Sequence, residues 1–427
     1  MEVTSIGLDK ALESIKTASQ SNADIAWMLF ATALVMIMTP TLAFFYGGLV
    51  RKKNVLSVLM QTMVILALIS IQWIIFGYSL AFGPDKNGII GGLEWFGLNG
   101  VGLTPSPDYA VTIPHQLFMS FQMMFAVITP ALMIGAFAER IKFSGFVVFI
   151  FLWATFIYDP MAHWVWGKGG WLANIGALDF AGGTVIHVTA GISALVMAIL
   201  LGKRTGVEAG RSPHSLPLSV LGAGFLWFGW FGFNAGSALS VGPVTVSAFL
   251  NTNTAAAAAA LTWILLDWKT NEVPTLLGII TGLVAGLVAI TPAAGYVTPM
   301  ASIIIGALGS VVGFIFVTKI KVKYGYDDSL DVFGVHGVCG IFGALATGLF
   351  ATKTINPAGN DGWFYGNPAQ FLTQLLTVAV AIALAAVGTY LLFKLVDSII
   401  GLRVTKNEEF IGLDLTQHHE TGYTLID

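Results

Sequence analysis

Long apolar runs constrain this chain more than any other feature of its sequence. Each run is long enough for a helix that crosses the hydrocarbon core of a bilayer, which needs about 20 residues. Backbone polar groups must be satisfied internally in lipid, so runs of this length predict helices. They lie at 25–49, 54–80, 113–138, 143–164, 180–201, 215–239, 246–267, 274–292, 298–318, 331–351 and 369–399. The sequence therefore predicts an all-α polytopic membrane protein with eleven transmembrane helices, of which the glycine-rich eighth is the shortest.

Composition excludes several other classes of protein. Only 10% of the 427 residues are charged and 56% are hydrophobic, whereas a soluble domain carries about 25% charged residues. A net charge of −3 gives no indication of a nucleic-acid partner. The sequence has no HExxH motif and no other metal-ligand spacing. We therefore expect neither an enzyme nor a bound metal or cofactor.

The distribution of basic residues predicts the orientation of the chain. Eleven spans put the termini on opposite sides of the membrane. If the N-terminus is outside, 15 of the 20 lysines and arginines lie inside, which agrees with the positive-inside rule. We therefore predict an extracellular segment at 1–24, a transmembrane domain at 25–399 and a cytoplasmic regulatory tail at 400–427, in a multi-pass protein of the cell membrane.

The spans divide into two halves, at about 25–201 and 215–351. Because each half has five spans, an odd number, the halves must be inverted relative to each other. The eleventh span is an addition outside this five-plus-five inverted repeat. In inverted repeats the substrate path lies at the interface of the halves, near the middle of the bilayer.

Each half contributes one histidine to that depth. His187 lies in the fifth span and His336 in the tenth. Small neighbours such as Gly183 and Gly340 would let the two imidazoles meet. Since neutral imidazole is both donor and acceptor, such a pair shares a proton without net charge. The alternative is two separate core histidines, each bonded to a backbone carbonyl or a threonine.

An aspartate precedes each histidine. Asp179 lies eight residues before His187, about 12 Å away if both stand on one helix. Asp331 lies five residues before His336. Each opens a predicted helix and is a candidate N-cap. Capping is the favoured role for Asp331, whereas for Asp179 capping and cation recruitment are compatible.

Aromatic residues are concentrated on the predicted outer side. Phe121 and Phe125 lie four apart, and Trp230 and Phe233 precede Ser237. An interfacial aromatic belt is one interpretation. A cage of ring faces with one hydroxyl for a small cation is the other, and composition alone does not choose between them.

Four long motifs resemble the ammonium transporters of the Amt/Rh family, and more closely its Amt branch. They are FQMMFAVITPALMIGAFAER, HWVWGKGGWLANIGALDFAGGTVIH, WFGWFGFNAGSA and DVFGVHGVCG. The resemblance implies an outer recruitment site at Phe121, Trp166 and Ser237. It implies a phenyl gate at Phe125 and Phe233, and a pore lined by His187 and His336. It also implies that Asp179 supports the site, with Gln122 and Trp230 near the pore entrance.

The resemblance also implies a mechanism and partners. Ammonium, and methylammonium with it, would lose a proton and cross as the neutral base. A homotrimer and a cytoplasmic PII-type signal protein at the tail are implied as well. Two residues depart from the family pattern: Lys168 puts a positive charge near the entrance, and His419 replaces a usual glycine. An ammonium sensor that signals through the tail and an Rh-like neutral gas channel remain alternatives, as does a disordered polar tail.

Overall fold

A computed structural model describes residues 2–206 and 213–423, with residues 2–19 described by their backbone alone. Met1 of the predicted N-terminal segment and the last four residues of the predicted tail lie outside the described residues.

Eleven helical segments, α1 to α11, cross the described structure. Several of them contain a π-helical turn, and the π turns of α5 and α10 open those helices. The bounds are α1 Glu2–Leu49, α2 Lys52–Phe82, α3 His115–Phe137, α4 Phe143–Trp153 continued by Ala154–Tyr158 and Asp159–Trp166, α5 Gly183–Leu201, α6 Leu216–Gly236, α7 Pro243–Asn271, α8 Leu276–Ile290, α9 Pro299–Tyr324, α10 Phe333–Phe350 and α11 Pro368–Ile399. Large apolar side chains are exposed along many of these helices, for example Leu29, Leu265 and Leu372.

This architecture confirms the predicted fold class. Among the described residues, ten helices are long and apolar enough to cross a membrane. The predicted eighth span corresponds to α8, a shorter apolar helix of 15 residues. Most of α8 is buried by protein, and its second half is buried throughout. A short span is tolerable there because neighbouring helices, rather than lipid, surround it.

The first helix is longer than the predicted first span. It runs without a break from Glu2 to Leu49 and thus includes the described part of the polar N-terminal segment. Asp24 fastens this region, because its Oδ1 atom accepts hydrogen bonds from the side chain of Gln20 at 2.8 Å and the N–H of Val241 at 2.7 Å. The polar segment is therefore a continuation of the first membrane helix.

Smaller elements lie at the two ends of the helices. Two short hairpins connect α2 and α3, with strands β1 Asp85–Lys86, β2 Ile90–Gly91, β3 Pro105–Ser106 and β4 Ala110–Pro114. A one-turn helix, Trp171–Asn174, lies between α4 and α5. At the opposite end, the tail forms α12 Lys406–Ile411 and α13 Leu413–His418. A capping box of Thr405 and Glu408 begins α12.

Candidate conduction site

Asp179 organises the beginning of α5. Its two carboxylate oxygens accept hydrogen bonds from four consecutive backbone N–H groups, at 2.6 to 3.0 Å, of Gly182, Gly183, Thr184 and Val185. Gly182 has φ +105°, a left-handed turn that glycine adopts at little cost. Capping by Asp179 is therefore confirmed. The prediction that Asp179 and His187 stand on one continuous helix is wrong, because this turn puts Asp179 before the helix.

Asp179 also fixes the position of Trp166. The indole N–H of Trp166 donates to the backbone carbonyl of Asp179 at 2.9 Å. The Trp166 ring stands edge-on to Phe125, at 6.1 Å between centroids and 90° between planes. Trp166 and Phe125, which are distant from each other in the sequence, thus form one aromatic corner of the site.

That corner faces a cavity of about 460 Å³, which we call the Trp166 cavity. Its lining includes Gln122, Phe125, Trp166, Asp179, Ser237 and Tyr296. The hydroxyl of Ser237 donates to the carbonyl of Phe233 at 2.9 Å, so the lone pairs of its oxygen are available to a cation. Among the described residues, Oε1 of Gln122 has no hydrogen-bond partner.

Phe121 does not line the Trp166 cavity. It is fully buried behind Phe125, with the ring centroids 4.8 Å apart. Gly236 packs against its ring, and a Cβ atom at that glycine would lie 2.9 Å from Phe121. In this geometry Phe121 supports Phe125 from behind, and its role in the recruitment site stays a prediction.

A pair of phenyl rings closes the floor of the cavity. Phe125 and Phe233 are stacked, with centroids 4.5 Å apart and an angle of 29° between planes. Each side chain is almost fully buried. These are the two residues that the resemblance assigns to a gate, and the structure brings them into contact.

A narrow apolar passage lies below the phenyl pair. Its free volume is about 10 Å³, roughly what one water-sized molecule occupies. The lining is apolar apart from Trp230 and the two histidines, and the other members are Met38, Leu42, Phe45, Ile128, Leu132, Ile186, Leu226, Phe233 and Val284. A hydrated ion does not fit in such a space.

His187 and His336 meet in this passage. Their Nδ1 atoms are 3.3 Å apart, and their rings are nearly parallel at 19°, with centroids 5.3 Å apart. Both side chains are buried. Among the described residues, Nε2 of His187 has no hydrogen-bond partner. The predicted meeting of the two imidazoles is thus present, and the alternative of two separate core histidines does not hold.

Trp230 lies deeper than predicted. Instead of standing near the entrance, its indole stacks on His187 at 5.5 Å and 17°. Its N–H donates to Thr291 at 2.9 Å, which fixes the ring. Trp230 and His336 therefore both pack against the imidazole of His187.

Glycines allow the two histidine helices to cross closely. A Cβ atom at Gly191 of α5 would lie 2.2 Å from backbone atoms of Gly337 in α10. A Cβ atom at Gly340 would lie 3.0 Å from Cβ of His187. This close approach fits the small-residue packing of membrane helices.

At its other end the passage adjoins a second large space, the tail-side cavity, of about 380 Å³. Phe45, Val284 and His336 line both the passage and this cavity. Three spaces therefore follow one another, with the histidine pair in the middle one and His336 at its border with the tail-side cavity.

Charged residues surround the tail-side cavity. The buried carboxylate of Glu139 contacts Arg51 at 2.8 Å and Arg204 at 2.9 Å. Burial opposes ionisation of Glu139, but the two arginines outweigh it and lower its pKa to about 2. Arg204 also contacts Asp327 at 2.7 Å, and despite burial this contact lowers the pKa of Asp327 to about 2.

Asp331 does not cap α10, contrary to the favoured interpretation. Its own φ is +62°, which turns the chain before the helix starts, and its side chain contacts Lys321 at 2.6 Å. Asp328 acts as the cap instead, because its Oδ2 atom accepts from the N–H of Phe333 at 2.7 Å. Burial raises the pKa of Asp328 to about 6.

The described part of the tail is ordered against the helix ends. The N–H of Leu413 donates to Asn54 at 2.8 Å, and Asp414 accepts from the N–H of Ser57 at 2.8 Å. The alternative of a disordered polar tail is therefore wrong for residues 400–423. His419 ends α13 at φ +56°, a conformation that explains why glycine would be usual there.

Several residues of the site escaped prediction. Asp108 and Tyr296 line the Trp166 cavity, and Thr291 holds Trp230. None of them carries a local signal, because each contributes through contacts across the fold. Asp328, in contrast, does carry a local signal, since it is the second acidic residue in the YDDSLD segment before α10.

The fold and this site together define a polytopic membrane protein of the channel and transporter class. The chain belongs to the Ammonium Transporter Family, whose model matches residues 26–423. It is 54% identical to an ammonium transporter of Bacillus subtilis (strain 168), over 94% of this chain and 98% of that protein. It is 45% identical to ammonium transporter Amt1 of Archaeoglobus fulgidus, over 95% of this chain and all of the relative.

Solved structures of the same family share the fold. Mep2 of Saccharomyces cerevisiae matches with a TM-score of 0.84 and 38% identity, covering 90% of this chain and 88% of that one. Mep2 of Candida albicans matches with a TM-score of 0.87 and 36% identity, covering 95% and 93%. The predicted family and its Amt branch are thus confirmed.

Proposed function

We propose that this protein carries ammonium across the cell membrane by recruiting the cation in the Trp166 cavity, removing a proton and passing neutral ammonia along the histidine pair. One observation carries the proposal. Two buried imidazoles lie 3.3 Å apart in a passage with a free volume of about 10 Å³, and Nε2 of His187 is left without a partner among the described residues.

Recruitment rests on the chemistry of the Trp166 cavity. A small cation loses its hydration shell only at high cost, and aromatic faces with a hydroxyl replace part of it. Trp166, Phe125 and Ser237 offer these groups at one cavity. Asp179 contributes from behind, because its carboxylate is engaged by backbone donors and its carbonyl holds Trp166.

Loss of the proton follows from the cost of charge in the passage. A charged side chain at the bilayer centre costs at least about 2.5–3.5 kcal/mol. Ammonium avoids much of this cost if it gives its proton to water in the Trp166 cavity, or to the imidazole pair, and crosses as ammonia. Potassium has no proton to give up, so the passage discriminates against it without a close-fitting filter. Nε2 of His187 then accepts a hydrogen bond from ammonia, or the imidazole pair relays the proton.

Orientation and assembly are further parts of the proposal. We place the Trp166 cavity outside and the tail inside, in agreement with the distribution of basic residues. The exposed apolar side chains of the helices would face lipid and the other subunits of a homotrimer. The ordered tail, packed on the end of α2, would present a surface to a PII-type signal protein.

Flux and current in proteoliposomes test the proposal. We expect saturable uptake of labelled methylammonium that unlabelled ammonium inhibits and that potassium leaves unchanged. Uptake with charge movement would mean that the proton crosses separately from ammonia, whereas uptake without charge would favour a neutral gas channel. If purified protein binds ammonium but carries neither flux nor current, a sensor is favoured and transport is refuted.

A further inference from the structure

An ion pair stands at the rim of the Trp166 cavity. Nζ of Lys168 contacts the carboxylate of Asp108, 60 residues earlier in the chain. Asp108 lines the cavity itself, together with Trp166 and Ser237. Lys168 follows Trp166 by two residues, so its charge was expected to oppose cations at the entrance. In the structure that charge is instead paired with a carboxylate of the cavity.

The backbones that carry the pair are held in place by Tyr109. Its hydroxyl donates to the carbonyl of Phe82 at 2.5 Å and accepts from the N–H of Lys168 at 3.2 Å. Its ring stacks on Phe118, with centroids 4.9 Å apart. Because Tyr109 is the next residue after Asp108, both members of the ion pair project from fixed main chain, and only their side chains need to move.

The ion pair is open to water. Lys168 exposes 66% of its side chain and Asp108 exposes 35%. Exposed pairs of this kind are weak, because water and salt screen them and because ordering a lysine side chain costs entropy. A cation that arrives at the cavity can therefore compete with Lys168 for the carboxylate.

The other acidic groups of this region are already engaged. Asp179, the second carboxylate among the described lining residues, accepts four backbone N–H groups. Asp85 lies on the neighbouring hairpin and accepts from the N–H of Gly88 at 2.7 Å, and its carboxylate is 2.9 Å from Nε2 of His163. Of the two carboxylates among the described lining residues, Asp108 therefore has the partner that is easier to displace.

We propose that Asp108 is a further cation-attracting residue of the transport path, and that Lys168 neutralises it and so sets how strongly cations concentrate at the Trp166 cavity. The inference rests on the proposed function. A cavity lined by one sign of charge raises the local concentration of the opposite ion. Without Lys168, the negative charge of Asp108 would attract cations unopposed. Without Asp108, the positive charge of Lys168 would remain unpaired at the cavity and repel them.

The experiment measures the half-saturating concentration of methylammonium uptake in proteoliposomes, for the parent and for Lys168→Gln, Asp108→Asn and the double variant. Lys86→Gln is the matched control, because Lys86 forms an exposed ion pair with Glu94 on the same side of the fold but does not line the cavity. Each variant is measured at about 0.01 M and about 0.15 M salt. The distance over which salt screens charges, the Debye length, is about 30 Å at the lower concentration and about 8 Å at the higher one.

At low salt we expect Lys168→Gln to lower the half-saturating concentration about two- to fivefold and Asp108→Asn to raise it by a similar factor. The double variant should lie near the parent, and the two opposite shifts should shrink at the higher salt concentration. Lys86→Gln should change the value much less than Lys168→Gln does.

Two results would overturn the inference while leaving transport intact. One is a parent-like half-saturating concentration in Asp108→Asn with normal maximal uptake. The other is an equal shift in Lys86→Gln and Lys168→Gln, which would mean that net charge alone matters. If the parent and all variants lack current and flux, the proposed function itself fails, and this inference fails with it.

Discussion

At the scale of single residues, polar groups in this protein take their roles from their partners. The carboxylate of Asp179 is directed at backbone donors, and its carbonyl holds Trp166. His187 packs against Trp230 and His336, with one nitrogen engaged and the other free of partners among the described residues. The free nitrogen marks His187 as the histidine whose loss would affect conduction most directly.

We expect His187→Ala to reduce selective methylammonium uptake about five- to tenfold, since one lost hydrogen bond of about 1–1.5 kcal/mol in the barrier has that effect. The proposed trimer should still assemble, because the substitution removes atoms from the passage and adds none. Uptake with potassium competition and size-exclusion chromatography are the two measurements.

His214→Ala is the control for that prediction. His214 bonds to Val50 and Tyr423 on the tail side, away from the passage. If His187→Ala transports like the parent, with the same discrimination against potassium, the role assigned to the histidine pair is wrong.

At the scale of elements, the crossing of α5 and α10 brings the histidines together, and Gly191 lies at a point of very close approach. An alanine there would put its Cβ atom 2.2 Å from Gly337, so the helices would have to separate by about 1 Å or more. We expect Gly191→Ala to cost about 1–3 kcal/mol of stability and to reduce transport by moving the imidazoles apart. Thermal unfolding and uptake measure the two effects.

The control for that crossing is Gly224→Ala in α6. Gly224 is a helical glycine, and a Cβ atom added there would meet no heavy atom of a neighbouring element within 4 Å. The variant should keep parent-like stability and uptake. Equal losses in both variants would show that glycine flexibility, rather than the close crossing, matters.

The charged cluster at the tail-side cavity predicts a specific acid response. Glu139 has a folded pKa of about 2, below its ordinary 4.5. Its stabilising contribution, on the order of 3 kcal/mol, is thus fully present above about pH 5 and is lost as pH falls from about 4.5 to 2. We expect the melting temperature of Glu139→Gln to be lower at pH 7 and to depend less on pH in the acid range.

Glu94→Gln serves as the comparison, because Glu94 belongs to an exposed pair with Lys86. Its acid profile should follow that of the parent. A Glu139→Gln protein that loses stability with the same slope below pH 5 would contradict the role of this carboxylate.

Comparison of sequence and structure shows which elements were predictable. The helices followed from apolar length, and the meeting of His187 and His336 followed from their matching places in the two predicted inverted halves. The start of α5 was misplaced because Gly182 takes a left-handed turn that hydropathy does not report. The sequence favoured Asp331 as the cap of α10, whereas Asp328 is the cap in the structure. The reason is that Asp331 itself, at φ +62°, forms the turn before the helix.

The Lys168–Asp108 contact joins segments 60 residues apart, and no local pattern indicates it.

At the scale of the whole molecule, the two large cavities lie at opposite ends of a passage, so the orientation of the chain decides which one meets ammonium first. The positive-inside rule predicts that the tail lies in the cytoplasm. Cys339 is the single cysteine and is buried, so a Cys339→Ala background leaves no native thiol to react. New cysteines at exposed positions on either side can then report the orientation.

We expect a membrane-impermeant maleimide to label Lys353→Cys in intact cells and to leave Lys406→Cys unlabelled, because the first lies between α10 and α11 and the second begins α12. Both positions are exposed, so both should react once the membrane is permeabilised. Labelling of Lys406→Cys alone in intact cells would show that the orientation is the reverse of the predicted one. The Trp166 cavity would then face the cytoplasm, and cation recruitment there would serve export rather than uptake.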